Sequence, residues 1–298
     1  MTIWKNYHLA QTIPDAIQAL AAAPGPSRVI SGGTDLLLDL QQGRHPPVHT
    51  LVDVSAIPEM NLIEIRQEHL FVGAAVPLNR LVRSSLLGEH APALVEACAL
   101  IGGPQVRNTA TLGGNVGHAL PAADGTIALL SLGALAEIAD ANGCRQMPLE
   151  NLFKGPGRSA LIPEKELIAG FYLPVRAPGT SSAGQGSAFR RVMRPQGVAI
   201  AILNMGVWLE RQGDRIADVR IAVGPGGPVP YRARQAEQEL RGCPFGSEIF
   251  SQADQAILAD ARFRSSPHRA TIEYRRHMSG QLLGETLSVA WDRTFPGY

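Results

Sequence analysis

Two short glycine-bearing stretches carry most of the chemistry this sequence offers: Ser31-Gly32-Gly33-Thr34-Asp35 and Thr111-Leu112-Gly113-Gly114-Asn115. Each sets a pair of glycines beside a hydroxyl. Glycine lets backbone N–H groups reach a ligand with no Cβ in the way, and it adopts positive φ. Consecutive N–H groups then form a concavity for an anion. A helix starting after Asp35 adds its positive end, and Thr34 and Thr111 can each offer a hydroxyl to a phosphate oxygen. Two such loops, far apart in the chain, could hold both phosphates of a dinucleotide from opposite sides. A lone Gly-Gly-Thr is more often a tight turn, so the matched pair carries the reading.

The elements around the loops are legible from periodicity. Thr12-Ile13-Pro14-Asp15 opens a helix, with Pro14 in its first turn and Ala16, Ile17, Leu20 and Ala21 at helical spacing. It stops near Pro24-Gly25-Pro26. A strand at 28–30 runs into the first loop, and a helix at 36–42 leaves it. Strands are expected at 49–54, 62–66 and 70–74, and helices at 77–87 and 89–101. Residues 102–124 are rich in glycine and turn chemistry. Strands at 134–140 and 144–147 flank the hairpin turn Ala141-Asn142-Gly143. Residues 174–186 (PVRAPGTSSAGQG) read as a linker. Beyond it come strands at 187–193, 198–210 and 216–223, then helices at 233–241, 246–261 and 269–283, a small sheet covered by helices on one side.

Composition is that of an ordinary globular protein, with 45% hydrophobic and 18% charged residues. The net charge of +1 gives no single-sign field for nucleic acid or an anionic membrane surface. The most apolar stretches, 126–136 and 198–209, fall short of the roughly 20 residues a bilayer demands. The N-terminus lacks a basic start followed by an apolar run, so a cytoplasmic protein is expected. Cys98, Cys144 and Cys243 are scattered, with no C-x-x-C pair, so neither a zinc site nor an iron–sulfur cluster is expected in this chain.

The order of several motifs resembles one family, the FAD-binding medium subunits of the xanthine dehydrogenase and carbon monoxide dehydrogenase group. Ile30-Ser31-Gly32-Gly33-Thr34-Asp35-Leu36 resembles its first pyrophosphate loop. Residues 105–115 (QVRNTATLGGN) resemble the second loop and its lead-in. Pro121-Ala122-Ala123-Asp124 is similar to the family's next landmark, a Pro-x-x-Asp. Ala188-Phe189-Arg190-Arg191, Arg232-Ala233-Arg234-Gln235-Ala236-Glu237 and Tyr274-Arg275-Arg276-His277 resemble landmarks of its C-terminal domain. The likeness spans nearly the whole chain.

That resemblance implies an α+β fold. A two-part FAD-binding domain of the vanillyl-alcohol-oxidase/PCMH type (1–176, subdomains about 1–57 and 58–176) precedes a linker (177–186). A smaller α+β domain of the CO dehydrogenase flavoprotein type (187–290) comes last. It implies FAD in this chain, with Val29, Ile30, Ser31, Gly32, Gly33, Thr34, Asp35 and Leu36 on one side, backbone amides on the pyrophosphate, and Thr111, Leu112, Gly113, Gly114 and Asn115 closing the other. Asp124 would accept from ribityl or ribose hydroxyls, a task suited to a group that only accepts; from the residues alone it equally caps the helix beginning near Thr126. Ile101 would pack near the cofactor, and Ile162 would touch the flavin from the Leu161-Ile162-Pro163 turn. Arg190 would lie near the ring, where a cation favours the reduced, anionic flavin; the bland alternative is a surface or interdomain charge. Gly125 stands where relatives usually have Ser or Thr, leaving Thr126 to take that role, and His118 in the second loop reads as loop filling.

The resemblance further implies partners: a large molybdopterin-binding subunit and a small subunit with two [2Fe–2S] clusters, in a dimer of heterotrimers. The chain would pass electrons from the small subunit to NAD⁺, oxygen, a quinone or a protein, with no catalytic acid/base residues of its own. Two rivals stand beside this: a self-sufficient FAD-dependent oxidoreductase with its own substrate site, and a non-catalytic scaffold whose glycine loops are only turns. Gly155-Pro156-Gly157-Arg158-Ser159-Ala160 formally fits G-x-G-x-x-A, but its lead-in looks helical and Pro163 soon interrupts any helix after it, so a plain loop is expected.

Overall fold

The computed structural model describes residues 3–194 and 200–296. The chain opens with β1 (Asn6–Leu9), α1 (Ile13–Ala22), β2 (Ser27–Ile30), α2 (Leu36–Gln41) and β3 (Thr50–Asp53). The strands form a small parallel sheet in the order β1-β3-β2. α1 starts as its residues dictate: the Thr12 hydroxyl accepts the Asp15 N–H at 3.2 Å, and Ala16, Ile17 and Leu20 are buried.

A second unit comes next. Its strands are β4 (Ile63–Arg66) and β5 (His69–Gly73), then β6 (Leu135–Asp140), β7 (Gly143–Pro148), the short hairpin strands β8 (Phe153–Gly155) and β9 (Arg158–Ser159), and β10 (Leu167–Pro174). The five longer strands make an antiparallel sheet in the order β4-β5-β10-β6-β7. Between β5 and β6 run six helices: α3 (Leu78–Val82), α4 (Ser85–His90), α5 (Pro92–Leu100), α6 (Pro104–Thr109), α7 (Leu112–Gly117) and α8 (Asp124–Ser131). The pattern at 77–101 predicts two helices where there are three. Ser84 caps α4 by accepting the Leu87 N–H, and Pro92 holds Ala91 out of the helical region (φ −142°, ψ 53°), which resets the axis. The G-x-G-x-x-A segment is the β8–β9 turn, and it opens no helix.

The third unit is an antiparallel sheet of β11 (Ala183–Val192), β12 (Leu203–Gln212), β13 (Arg215–Gly224) and β14 (Tyr231–Arg232), with α9 (Arg234–Leu240), α10 (Ser247–Asp260) and α11 (Ile272–Asp292) on one face. Leu203, Met205, Val207 and Leu209 of β12 share a core with Leu282, Leu283 and Leu287 of α11. The opposite face of this sheet carries Asn204, and Gly206 approaches Ser131 of α8. Hence α8 is buried along its whole length, and the third unit is seated on α5 and α8 of the second.

Two expectations change. Residues 183–186, read as the end of a linker, are strand paired with Leu209–Gln212. A Cβ at Gly184 or Gly186 would fall 2.0 Å from the Thr294 or Ala290 carbonyl oxygen, so these glycines let α11 lie on β11 and are not there for flexibility. The last helix runs to Asp292, past Gly280 and Gly284, because packing over the sheet outweighs their weak helix preference. Of the strand expected at 198–210, Val198 and Ala199 lie outside the described residues. The α+β class holds.

Candidate functional site

The two glycine loops meet. Val29 and Ile30 end β2, and the chain leaves the sheet at Ser31. A Cβ on Gly32 would lie 2.1 Å from the Thr109 carbonyl oxygen and 2.8 Å from Ala110 Cα, so the backbone entering the second loop rests directly on the first. Gly33 turns the chain with φ +66°. Among the described residues no acceptor engages the N–H groups of Gly32, Gly33, Thr34 or Asp35. Asp35 precedes α2 without a side-chain cap bond, and Leu36 opens the helix. A row of free amides at a positive-φ turn is an anion nest.

The second loop is built differently. Thr111 caps α7: its hydroxyl oxygen accepts the Gly114 N–H at 3.2 Å, and its carbonyl accepts the Asn115 N–H at 3.0 Å. The Gly113 N–H donates to the Ala74 carbonyl at 2.8 Å, and Leu112 is fully buried. The amides of Gly113, Gly114 and Asn115 are therefore spent on folding, which leaves side chains to supply much of that wall. What it offers are the Thr111 hydroxyl proton and Asn115, whose Oδ1 is buried without a partner. Ser31 Oγ in the first loop is orphaned in the same way. Buried polar atoms are rarely left so.

Asp124 sits beyond the second loop as the first residue of α8, and it does not cap that helix. Its Oδ2 accepts from Arg191 and its Oδ1 from Asn204, both at 2.5 Å, so the carboxylate joins α8 to β11 and β12. Burial raises its carboxyl above the usual range, against the pull of Arg191 and Asn204. The helix-cap alternative is thereby overturned. A Cβ at Gly125 would meet Asn115 Oδ1 at 2.8 Å, which disfavours a Ser or Thr there, and among the described residues the buried Thr126 hydroxyl has no partner. Ile101 comes directly after α5, and its carbonyl accepts from Arg107 at 3.3 Å. Ile162 is half exposed in a turn that Glu164 ties to Arg28 of β2 at 2.8 Å. Arg190 donates to Glu96 of α5 at 2.9 Å and to the Phe189 carbonyl at 2.8 Å, so its charge ties β11 to α5. Beside it lies a cleft of about 360 Å³ lined by Glu96, Leu100, Arg190, Arg191 and Met193.

Residues 3–176 match the family model described as the FAD binding domain in molybdopterin dehydrogenase, and residues 187–290 match the CO dehydrogenase flavoprotein C-terminal domain. The chain belongs to this flavoprotein subunit family. It is 30% identical to the xanthine dehydrogenase FAD-binding subunit of Escherichia coli, over 96% of this chain and 95% of that one. It is 28% identical to the carbon monoxide dehydrogenase medium chain of Hydrogenophaga pseudoflava, over 97% of each. A solved structure of carbon monoxide dehydrogenase from that organism, lacking the Mo-pyranopterin moiety of the molybdenum cofactor, superposes with a TM-score of 0.90 at 27% identity, covering 97% of this chain and 98% of that one.

The flavoprotein's seam suits FAD on its own chemistry. The free amides of residues 32–35 meet the demand of a diphosphate, and the orphaned Ser31, Asn115 and Thr126 side chains offer partners for hydroxyls and phosphate oxygens. Glu96 and Asn204 of this subunit escape a reading by motif. Asn204 had a signal, a lone amide inside the apolar run 198–209. Glu96 had none, since it sits in a helix whose other polar contacts come from residues about a hundred positions away or more.

Proposed function

We propose that this chain is the FAD-binding electron-transfer subunit of a molybdenum hydroxylase, working beside a large molybdopterin subunit and a small [2Fe–2S] subunit. Electrons would come from the small subunit and leave to an external acceptor: NAD⁺, oxygen, a quinone or a protein. The observation that carries the reading is the unengaged amide row of residues 32–35 held against the second loop. When bound there, FAD supplies the redox chemistry, and this chain's residues do the rest. Gly32, Gly33, Thr34 and Asp35 would grip the diphosphate through backbone N–H groups. Thr111 and Asn115 would hold it from the facing side, with Ile101 and Ile162 giving apolar contact. Asp124, already bonded to Arg191 and Asn204, orients those groups at the far end of the seam.

The relatives' names span xanthine and carbon monoxide chemistry, which supports placing substrate choice in the proposed large subunit. A dimer of heterotrimers is the proposed assembly. Purification from the native source with flavin, iron and molybdenum analysis tests the reading. Two further subunits, with one FAD and four iron atoms (two [2Fe–2S] clusters) per copy of this chain, are expected. A flavoprotein that purifies alone and oxidises a substrate by itself would replace it with the self-sufficient oxidoreductase.

A further inference from the structure

Arg191 is a guanidinium with unmet donors in a place where that is costly. Its side chain is only 5% exposed. One nitrogen is bonded to Asp124; among the described residues a second reaches only the Met193 thioether at 3.1 Å, and Nε is buried without an acceptor. A guanidinium presents five donors, and burying one without an acceptor is costly because its lost hydration is not replaced. Unmet donors alone do not mark a ligand site, since among the described residues Arg275, buried in the C-terminal core, also keeps a partnerless Nε and bonds the Ile202 carbonyl; at Arg191 they matter because they face a cleft. A saturated structural arginine looks different again. Arg211, 1% exposed, bonds the Thr294 hydroxyl and the carbonyls of Ser181, Gly213, Thr180 and Thr294.

The surroundings favour an acceptor. Arg191 lines the cleft between α5 and β11 together with Leu100 and Met193. Arg190 beside it is committed to Glu96, which Arg293 also binds at 2.8 Å. Three arginines thus share two carboxylates, Glu96 and Asp124, and the cleft keeps a net positive charge. Asp124, itself held by the Asn204 amide, fixes Arg191 from behind, which leaves its remaining donors to whatever enters from the front.

We infer that Arg191 contacts the flavin directly, donating to an acceptor of the bound ring system, and that Asp124 is its positioning residue. This rests on the seam being the FAD site. A cation so placed favours the electron-rich form of its ligand.

The test uses the purified holoenzyme carrying Arg191→Met, Arg191→Lys or Asp124→Asn, with flavin midpoint potential, FAD dissociation and thermal midpoint all measured. Arg191→Met is expected to lower the reduced-to-oxidised ratio at fixed potential about tenfold, or about 30 mV for a two-electron couple, and to weaken FAD binding about tenfold. Arg191→Lys restores most of the potential. Asp124→Asn moves the potential the opposite way, because Arg191 loses its counter-charge. If all three variants change only the thermal midpoint, Arg191 is a domain tie and the inference fails. If Arg191→Met does not fold, the sign of the Asp124→Asn shift decides alone. A wild-type protein without flavin would instead sink the proposed function.

Discussion

Gly32→Ala is the sharpest perturbation of the seam. The added methyl would sit 2.1 Å from the Thr109 carbonyl oxygen, 2.7 Å from its carbon and 2.8 Å from Ala110 Cα. All three are backbone atoms, so no side chain can swing aside. Relief requires the first loop to move about an ångström off the second. Overpacking of this kind costs about 1–3 kcal/mol, and the rigid obstacle puts it at the upper end. If half or more of that cost falls on the FAD-competent arrangement, affinity drops about tenfold to a hundredfold. The control is Gly88→Ala in α4, where an added Cβ meets nothing within 4 Å; it should stabilise by about 0.5–1 kcal/mol with unchanged FAD binding. Flavin absorbance after gel filtration and thermal midpoints with and without added FAD give both answers. Full flavin occupancy and an unshifted midpoint in Gly32→Ala would refute the claim that close loop contact builds the site.

Asn115→Ala should separate folding from binding. Its Oδ1 is an orphan, so the apoprotein should be unchanged or slightly more stable, while FAD affinity falls about fivefold to thirtyfold; calorimetric unfolding and FAD titration together check it, and a large apoprotein loss would contradict it. Glu96→Gln should flatten the acid limb of stability. Burial opposes ionisation of Glu96, but Arg293, Arg190 and the Phe189 amide outweigh it and hold its carboxyl below the usual range. Its contribution is therefore present above the ordinary carboxylate value and lost as pH falls through the lower folded one. Urea midpoints from pH 7 to pH 3 should converge for wild type and variant at the acid end, after a gap of about 2 kcal/mol near neutrality; a constant gap would rule out the ionised carboxylate as the cause.

Local chemistry was legible and long-range chemistry was not. The Thr12 cap and the β2–loop–α2 passage are dictated by neighbours in the chain, and both stand where the residues put them. Pairing two remote glycine loops was readable only as a hypothesis of matched design; what joins them, Thr109 against Gly32, is a contact between backbones that no residue type announces. The second loop looked like the first because both carry Gly-Gly beside a threonine. They differ because Ala74 and Thr111 consume the amides of Gly113, Gly114 and Asn115, whereas among the described residues no acceptor takes those of residues 32–35. The glycines at 184 and 186 were read as slack for a related reason: composition cannot distinguish a flexible hinge from a surface worn flat for a helix.

The small parallel sheet bearing the first loop has three strands of four residues; one face has only a minor core of Ile30, Leu40, Val48 and Leu51, while Ile17, Leu20 and Val52 join the main core. So slight a body sits at the weak end of the stability range within a protein. A nucleotide gripped by it and by the larger unit acts as a clasp, adding about 2.7 kcal/mol at a hundredfold excess over its dissociation constant. Emptied of cofactor, the chain should fray first at 27–53. Proteases would then meet exposed chain there before anywhere else, and a cell would discard unloaded copies through the same door by which flavin enters.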